Sequence, residues 1–190
     1  WRGYRNVLLL VFSLLFYAWG EPVYIVLMLL SSLAAYLGGL LMEHFRQRKA
    51  VCTFAFVVTV VLITANLLVF KYLNFFCDNL SALLGTAIQV PQLRLPIGIS
   101  FYTFQILSYV IDLYWGKIAL QKNYLNLTLY VSFFPQLIAG PIVRYQTVEE
   151  EIHTRRESWE DVVSGLKRFI LGLAKKVQSQ IGRASCRERV

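Results

Sequence analysis

Two stretches decide the fold of this chain: LPIGISFYTFQ, from Leu95 to Gln105, and FFPQLIAGPIVR, from Phe133 to Arg144. Together they place hydroxyl, amide, proline and glycine residues among apolar ones, in a chain of 190 residues that is 57% hydrophobic and 16% charged. With a mean hydropathy of +0.54, this composition is typical of a membrane protein rather than of a soluble domain. Because an unsatisfied polar group at membrane depth costs several kcal/mol, the two stretches indicate a role beyond spanning lipid.

The residue types argue against several other classes of protein. Three cysteines without a pairing pattern do not predict a disulfide framework, and no Cys/His spacing predicts a metal site. No phosphate-binding glycine loop is present in the sequence. The positive charge is explained by basic cytoplasmic loops on anionic lipid, so we expect membrane lipid and not nucleic acid as a partner.

Hydropathy predicts an all-α, polytopic transmembrane protein with membrane segments over residues 6–19, 23–42, 51–76, 96–115 and 124–143. Arginines precede the first segment, and a basic cluster of Arg46, Arg48 and Lys49 follows the second. By the positive-inside rule both basic clusters lie in the cytoplasm. The stretch 78–94 is then predicted to be an external loop.

The fourth and fifth segments create a conflict in this topology. If both cross the membrane, residues 144–176 lie outside, although they are rich in lysine and arginine. The simplest resolution is that one segment is broken or re-entrant. Pro135, Gly140 and Pro141 make the fifth segment the better candidate, because proline and glycine interrupt helices.

An amphipathic helix is predicted over residues 158–177. Ser158 is followed three residues later by Asp161, which resembles a capping box, and apolar residues then recur at helical spacing among basic ones. Two interpretations stay open. The helix either lies on the cytoplasmic membrane surface or packs against the bundle as an ordinary amphipathic helix.

The fourth segment has one polar face. At 100° per residue, Tyr102, Gln105, Ser108, Tyr109 and Asp112 fall within a sector of about 120°. A carboxylate facing lipid costs about 2.5 to 3.5 kcal/mol at a helix centre, so this face must meet protein or water. It is either the wall of a substrate path or a hydrogen-bonded seam between helices. The seam is the better explanation for any single residue, and the path for the face as a whole.

The second stretch adds two candidate residues. Irregular backbone at membrane depth is tolerated where it is buried or lines a cavity, so the amide of Gln136 joins the candidate path. Arg144 just beyond it could contact an anionic group such as a phosphate or carboxylate. Arg144 could instead anchor the chain at the membrane interface. The sequence alone somewhat favours this second alternative.

Five motifs together resemble the membrane-bound O-acyltransferase family. The resemblance is closest to its bacterial branch, which contains the alginate O-acetyltransferase membrane subunit and the D-alanyl transfer protein of teichoic acids. The motifs occur in the family's order over nearly the whole chain, and the fourth-segment motif is the most specific. They read GYRNVLLLVFSLLFYAW, FKYLNFF, LPIGISFYTFQILSYVIDLYWG, FFPQLIAGPIVR and GLKRFILGLAKKV.

The resemblance implies a multi-pass enzyme of the bacterial inner (plasma) membrane with broken or re-entrant segments around a central tunnel. Such enzymes move an acyl group, here expected to be acetyl, from a cytoplasmic thioester donor to hydroxyls of an extracytoplasmic polysaccharide or cell-wall polymer. The donor is acetyl-CoA or an acyl carrier protein, and an extracytoplasmic partner protein takes part. The family's essential histidine lies on a later segment, and neither His44 nor His153 matches it. We therefore expect no catalytic residue here.

Both ends of the sequence look unnatural, so we expect a fragment that carries a partial domain over residues 1–180 and is inactive alone. The tail 181–190, IGRASCRERV, resembles a translated sequencing adapter. Its removal takes away three Arg and one Glu and lowers the formal charge from +8 to +6. Two other classes remain as alternatives: a polytopic transporter or channel whose solute path uses the same polar face, and a non-catalytic membrane scaffold.

Overall fold

The structure, a computed structural model, describes residues 2–84, 95–137, 143–154 and 158–187. It divides into two compact units, Trp1–His153 and Thr154–Val190. The described residues form the following α-helices: α1 (Arg2–Gly20), α2 (Ile25–His44), α3 (Lys49–Leu84), α4 (Ile99–Tyr114), α5 (Tyr124–Ser132), α6 (Phe134–Leu137), α7 (Tyr145–Thr154) and α8 (Trp159–Arg187).

Helices α2 and α3 form the apolar scaffold of the first unit. Among the described residues, these two are long and apolar enough to cross a membrane by length and composition, and α1 is a shorter apolar helix. They pack closely because α2 presents glycine to α3. A Cβ added to Gly38 would lie 2.7 Å from Cγ2 of Thr59 and 2.9 Å from its Cβ. Asn66 Nδ2 also donates to Ser31 Oγ at 3.0 Å across this interface.

The prediction for the third segment was too short. The helix predicted over 51–76 is α3, which runs from Lys49 to Leu84, so residues 78–84 are helical and do not belong to a loop. The sequence between 77 and 84 contains no proline or glycine, and polar residues bond back to the helix. Asn79 Nδ2 donates to Phe75 O at 2.6 Å, and Ser81 Oγ donates to Cys77 O at 2.7 Å. The rest of the predicted loop lies outside the described residues.

Helix α4 is the central helix of the first unit and contacts α2, α3 and α5. It begins three residues after the predicted start at Pro96, because Gly98 has a φ of 78° and cannot continue a right-handed helix. Apolar residues on its other faces are buried as well, including Ile99, Ile106 and Val110. The polar face therefore belongs to a helix that is enclosed on most sides.

The segment predicted over 124–143 is interrupted. It forms α5 and the single turn α6, with a break at Phe133. Pro135 accounts for the break, because it lacks a backbone N–H and its ring clashes with the carbonyl four residues before it. Gly140 and Pro141, which also predicted a break, lie outside the described residues.

The two ends of this interrupted segment lie together. Gln121 Nε2, just before α5, donates to the hydroxyl of Tyr145, the first residue of α7, at 2.6 Å. Tyr130 OH, within α5, donates to Val143 O at 2.8 Å. The far turn of the segment lies at the opposite end of α4, because a Cβ on Gly98 would lie 3.1 Å from Leu137 O. Gln121 and Tyr145 therefore lie at one end of α4, and α6 lies at the other end.

The two histidines that do not match the family's essential one both lie in helices. His44 is the last residue of α2, with its ring centroid 4.7 Å from that of Phe45. His153 lies in α7, a helix that the sequence did not predict because its hydropathy resembles that of a charged linker.

Helix α8 forms most of the second unit and is longer than the predicted 158–177, since it continues to Arg187 and includes residues 181–187 of the tail. One of the two bonds of the predicted capping box is present at its start, the bond from the Asp161 backbone to the Ser158 side chain. Asp161 N donates to Ser158 Oγ at 3.1 Å, and Ser158 Oγ donates to the Asp161 carboxylate at 2.7 Å. From residue 158 to residue 178 every side chain is exposed, apolar and basic alike.

Candidate functional site

The candidate residues of α4 lie on one face that points into the protein. Tyr102, Gln105, Tyr109 and Asp112 are 0%, 3%, 0% and 6% exposed, and Ser108 is half-buried. The polar face therefore contacts protein instead of the surrounding medium. This agrees with the prediction that the face meets protein or water, since a carboxylate and an amide are costly to expose to lipid.

The two candidates of the second stretch lie at different places. Gln136 is half-buried in α6, the turn beside the N-terminal end of α4. Arg144 is exposed and lies between Val143 and Tyr145, beside the start of α5. The structure thus brings Gln136 and Arg144 to opposite ends of the α4 face.

At the C-terminal end of α4 the polar residues form a hydrogen-bonded group that we call the tyrosine cluster: Tyr109, Gln121, Tyr130 and Tyr145. Gln121 donates from its backbone N to Tyr109 OH at 3.3 Å and from Nε2 to Tyr145 OH at 2.6 Å. The ring of Tyr145 makes edge-to-face contacts with those of Tyr109 and Tyr130, each with centroids 5.1 Å apart. Edge-to-face tyrosines with satisfied hydroxyls make a rigid seam.

This cluster holds the returning segment against α4. Gln105 Nε2 donates to the backbone carbonyl of Tyr130 at 2.7 Å, so the middle of α4 is tied to α5. Burial raises the pKa of the Tyr145 phenol to about 12. The hydrogen bond that the phenol oxygen accepts from Gln121 Nε2 lowers this pKa and so opposes the effect of burial.

At the N-terminal end of α4 a polar stripe of α1 faces the same interior. Ser13, Tyr17 and Glu21 follow one another at four-residue spacing, which places them on one side of a helix. They are 0%, 4% and 5% exposed. Tyr17 OH donates to Ile97 O at 3.0 Å, just before α4 begins. The ring of Phe16 lies 5.5 Å from that of Phe134 in α6, so α1 contacts α6 as well.

Several buried polar atoms in the helices around this end of α4 have no hydrogen-bond partner among the described residues. They come from α1 and the residue after it, from the start of α4, and from α5 and α6. We call these residues the unpaired group. Its atoms are Ser13 Oγ, Glu21 Oε1, Tyr102 OH, Thr103 Oγ1, Ser132 Oγ and Gln136 Nε2.

The sequence did not identify the α1 stripe or the tyrosine cluster. The spacing of Ser13, Tyr17 and Glu21 was visible, but the apolar residues between them dominate the hydropathy of α1. Tyr130 and Tyr145 lie in segments whose return path depends on tertiary contacts, so no local pattern could place them beside Tyr109. The described residues contain no group of three His, Cys, Asp or Glu side chains able to hold a metal ion.

Comparison with curated proteins shows what the chain is similar to. It is 34% identical over 178 residues to a probable alginate O-acetylase of Pseudomonas aeruginosa, with 92% of this chain and 34% of that protein covered. It is 35% identical over 180 residues to a protein of the same description from Pseudomonas putida, with 93% and 37% covered. A peptidoglycan O-acetyltransferase of Helicobacter pylori is 29% identical over 196 residues, with 89% and 37% covered. No family model and no solved structure matches.

These matches confirm the resemblance to the bacterial branch of the membrane-bound O-acyltransferases, and with it the fold class, a helical protein of several membrane spans. The chain spans about a third of the length of the curated relatives that it matches. It is a membrane protein by this similarity and by the two long apolar helices.

Proposed function

We propose that this chain is part of an O-acyltransferase of the bacterial inner membrane. The whole enzyme moves an acyl group, acetyl by analogy with the relatives' names, from a cytoplasmic thioester to hydroxyls of an extracytoplasmic polysaccharide or wall polymer. The single observation that carries this proposal is the similarity of over nine-tenths of the chain to alginate O-acetylases. The buried polar face of α4 supports it, because such a face suits a path through the membrane.

Charge placement supports the proposed sides of the membrane. Arg46 and Arg48 lie between α2 and α3, and the positive-inside rule puts this turn in the cytoplasm. The end of α4 lies at the same level, because a Cβ on Gly116 would lie 2.6 Å from Nη2 of Arg46. The C-terminal end of α4 is then cytoplasmic, and its N-terminal end faces the extracytoplasmic side.

The contacts of the α5–α6 segment support a re-entrant path. Its beginning and end meet at Gln121 and Tyr145, as expected for a segment that enters and leaves the membrane on one side. Residues 144–176, which are rich in lysine and arginine, can then lie in the cytoplasm as the positive-inside rule favours. We propose that the segment is re-entrant.

The proposed donor approaches from the cytoplasmic end. Acetyl-CoA and the prosthetic group of an acyl carrier protein both carry phosphate, and a guanidinium is well suited to bind it. Arg144 is exposed beside the tyrosine cluster at that end. Arg144 is therefore our candidate for contact with the donor, and an extracytoplasmic partner protein is expected on the opposite side.

Helix α8 fits the proposed enzyme as a helix on the cytoplasmic leaflet. Its exposed apolar side chains include Trp159, Leu166 and Ile170, and its basic side chains include Lys167 and Arg168. An apolar face bordered by basic residues binds anionic membrane surfaces.

Acyl transfer by the whole enzyme, produced from its intact locus in membranes, tests the proposal. Labelled acetyl-CoA is supplied on the cytoplasmic side, and label on unacetylated alginate or peptidoglycan is measured. We expect transfer, and we expect Asp112→Ala to lower it while membrane insertion is retained. Glu43→Gln, in an exposed ion pair with Arg46, is the matched control and should transfer normally.

Two results would contradict the proposal. Solute uptake into vesicles by the whole protein, without transfer of label, would point to a transporter or channel. A stable, inserted protein that neither transfers label nor transports solute would point to a scaffold.

A further inference from the structure

The unpaired group at the N-terminal end of α4 is the least expected feature of the interior. Glu21, Tyr102 and Ser132 are 5%, 0% and 0% exposed, yet each has a polar atom without a hydrogen-bond partner among the described residues. Buried polar atoms in folded proteins are nearly always paired. Several such atoms on helices that pack against one another indicate a site for a ligand or for ordered water.

Three contacts show that the elements carrying this group meet. Tyr17 OH donates to Ile97 O, so the polar stripe of α1 lies against the start of α4. The rings of Phe16 and Phe134 lie 5.5 Å apart, so α1 also contacts α6. Leu137 O of α6 would lie 3.1 Å from a Cβ on Gly98, so α6 contacts the start of α4. The group is therefore shared by α1, α4 and the α5–α6 turn.

The chemistry of the unpaired atoms selects the ligand. Glu21 offers a carboxylate oxygen that only accepts, Gln136 Nε2 only donates, and the hydroxyl of Tyr102 does both. A sugar hydroxyl also donates and accepts, so it can pair with all three. A phosphate or carboxylate would bring negative charge beside the Glu21 carboxylate, and no lysine or arginine belongs to the unpaired group to balance it.

We propose that the unpaired group binds hydroxyl groups of the polysaccharide acceptor, with the Glu21 carboxylate as its main hydrogen-bond acceptor. This inference rests on the proposed function and adds the acceptor's place: the extracytoplasmic end of α4, opposite the end assigned to the thioester donor. Glu21 and Tyr102 act as binding residues for the acceptor, and no chemical step is assigned to them.

Steady-state kinetics of the whole enzyme test this proposal. Glu21→Gln keeps the size of the side chain but replaces an acceptor oxygen with a donor. We expect the KM for an unacetylated alginate oligosaccharide or peptidoglycan disaccharide to rise about tenfold, the effect of losing a hydrogen bond to a charged group. The KM for acetyl-CoA should stay unchanged. Glu43→Gln, at the other end of the bundle, should change neither value.

A binding measurement separates this proposal from the proposed function. The melting temperature of the detergent-solubilised whole protein is measured with and without the same oligosaccharide. We expect the oligosaccharide to raise it for the wild type and to raise it clearly less for Glu21→Gln and Tyr102→Phe. If the wild type is stabilised by the oligosaccharide but transfers no label, the proposed function fails while the binding site stands.

Other outcomes overturn the proposal itself. An unchanged acceptor KM together with an unchanged stabilisation in Glu21→Gln would show that the acceptor does not contact Glu21. A variant with a lower melting temperature and a normal acceptor KM would show that the group holds structural water. The absence of any stabilisation of the wild type would likewise exclude the acceptor from this site.

Discussion

At the C-terminal end of α4 the hydroxyls of the tyrosine cluster are hydrogen-bonded to protein, whereas at its N-terminal end the unpaired group has no protein partner among the described residues. Both ends are buried and both are rich in hydroxyls. A paired cluster in a low-dielectric interior rigidifies a fold, while an unpaired one costs stability unless something binds to it. We therefore infer that the C-terminal end of α4 stabilises the fold and that its N-terminal end binds a ligand.

The largest effect is expected at the middle of α4, where the paired end begins. Gln105→Ala removes the bond from Nε2 to Tyr130 O and leaves a buried carbonyl unpaired beside a small cavity. We expect the free energy of unfolding to fall by roughly 3 kcal/mol, measured by denaturation in mixed micelles. Gln178→Ala, on exposed α8, is the control. An equal loss of unfolding free energy in both variants would show that Gln105 does not stabilise the fold as described.

The second effect concerns the turn that brings α4 and α6 together. Gly98 has a φ of 78° and lies close to Leu137 O. Gly98→Ala adds left-handed strain and a crowded contact, so we expect a loss of about 2 kcal/mol in the same unfolding measurement. Gly20→Ala, where an added Cβ meets no atom within 4 Å, should leave stability nearly unchanged. A neutral Gly98→Ala would mean that this turn is not held as described.

A matched pair of tyrosines compares the two ends of α4 directly. Tyr130→Phe removes a hydroxyl that donates to Val143 O, and we expect it to cost about 1.5 kcal/mol. Tyr102→Phe removes a buried hydroxyl without a partner among the described residues, so we expect no loss of stability in the absence of acceptor. Thermal unfolding of both variants in detergent decides the matter. Equal destabilisation would show that the two ends do not differ.

The smallest effect is expected outside the interior, on α8. Its side chains are exposed from residue 158 to residue 178, so a substitution there should change membrane binding and not folding. Lys167→Gln in a peptide of residues 158–178 should weaken binding to anionic vesicles about fivefold, since each basic residue contributes about 1 kcal/mol. Neutral vesicles serve as the reference. If the affinity were the same for anionic and neutral vesicles, and the same with and without Lys167, a role on the anionic leaflet would be excluded.

Local patterns were sufficient for the apolar helices, for α8 and for the polar face of α4, but not for α7. Periodicity placed Tyr102, Gln105, Tyr109 and Asp112 on one side, and the cost of exposing an acid to lipid predicted that this side is covered. Pro135 predicted the break that separates α5 from α6. The capping box of α8 was visible as Ser158 and Asp161.

What the sequence missed depends on contacts between distant segments. The end of α3 was predicted too early, because the asparagine and serine that bond back into the helix look like loop residues. Tyr130 and Tyr145 join Tyr109 only because the α5–α6 segment returns. The α1 stripe is buried only because α5, α6 and the residues before α4 pack against α1, and no local pattern shows that Glu21 is a buried acid.

The most direct test of the central claim is the acyl-transfer rate of Tyr102→Phe in the whole enzyme at a limiting concentration of unacetylated acceptor. Abundance and melting temperature should match the wild type, because the lost hydroxyl has no protein partner in the described residues. The account predicts about a fivefold lower rate, the value of a typical hydrogen bond of about 1 kcal/mol, with an unchanged KM for acetyl-CoA. A wild-type rate in a protein of wild-type stability would contradict it.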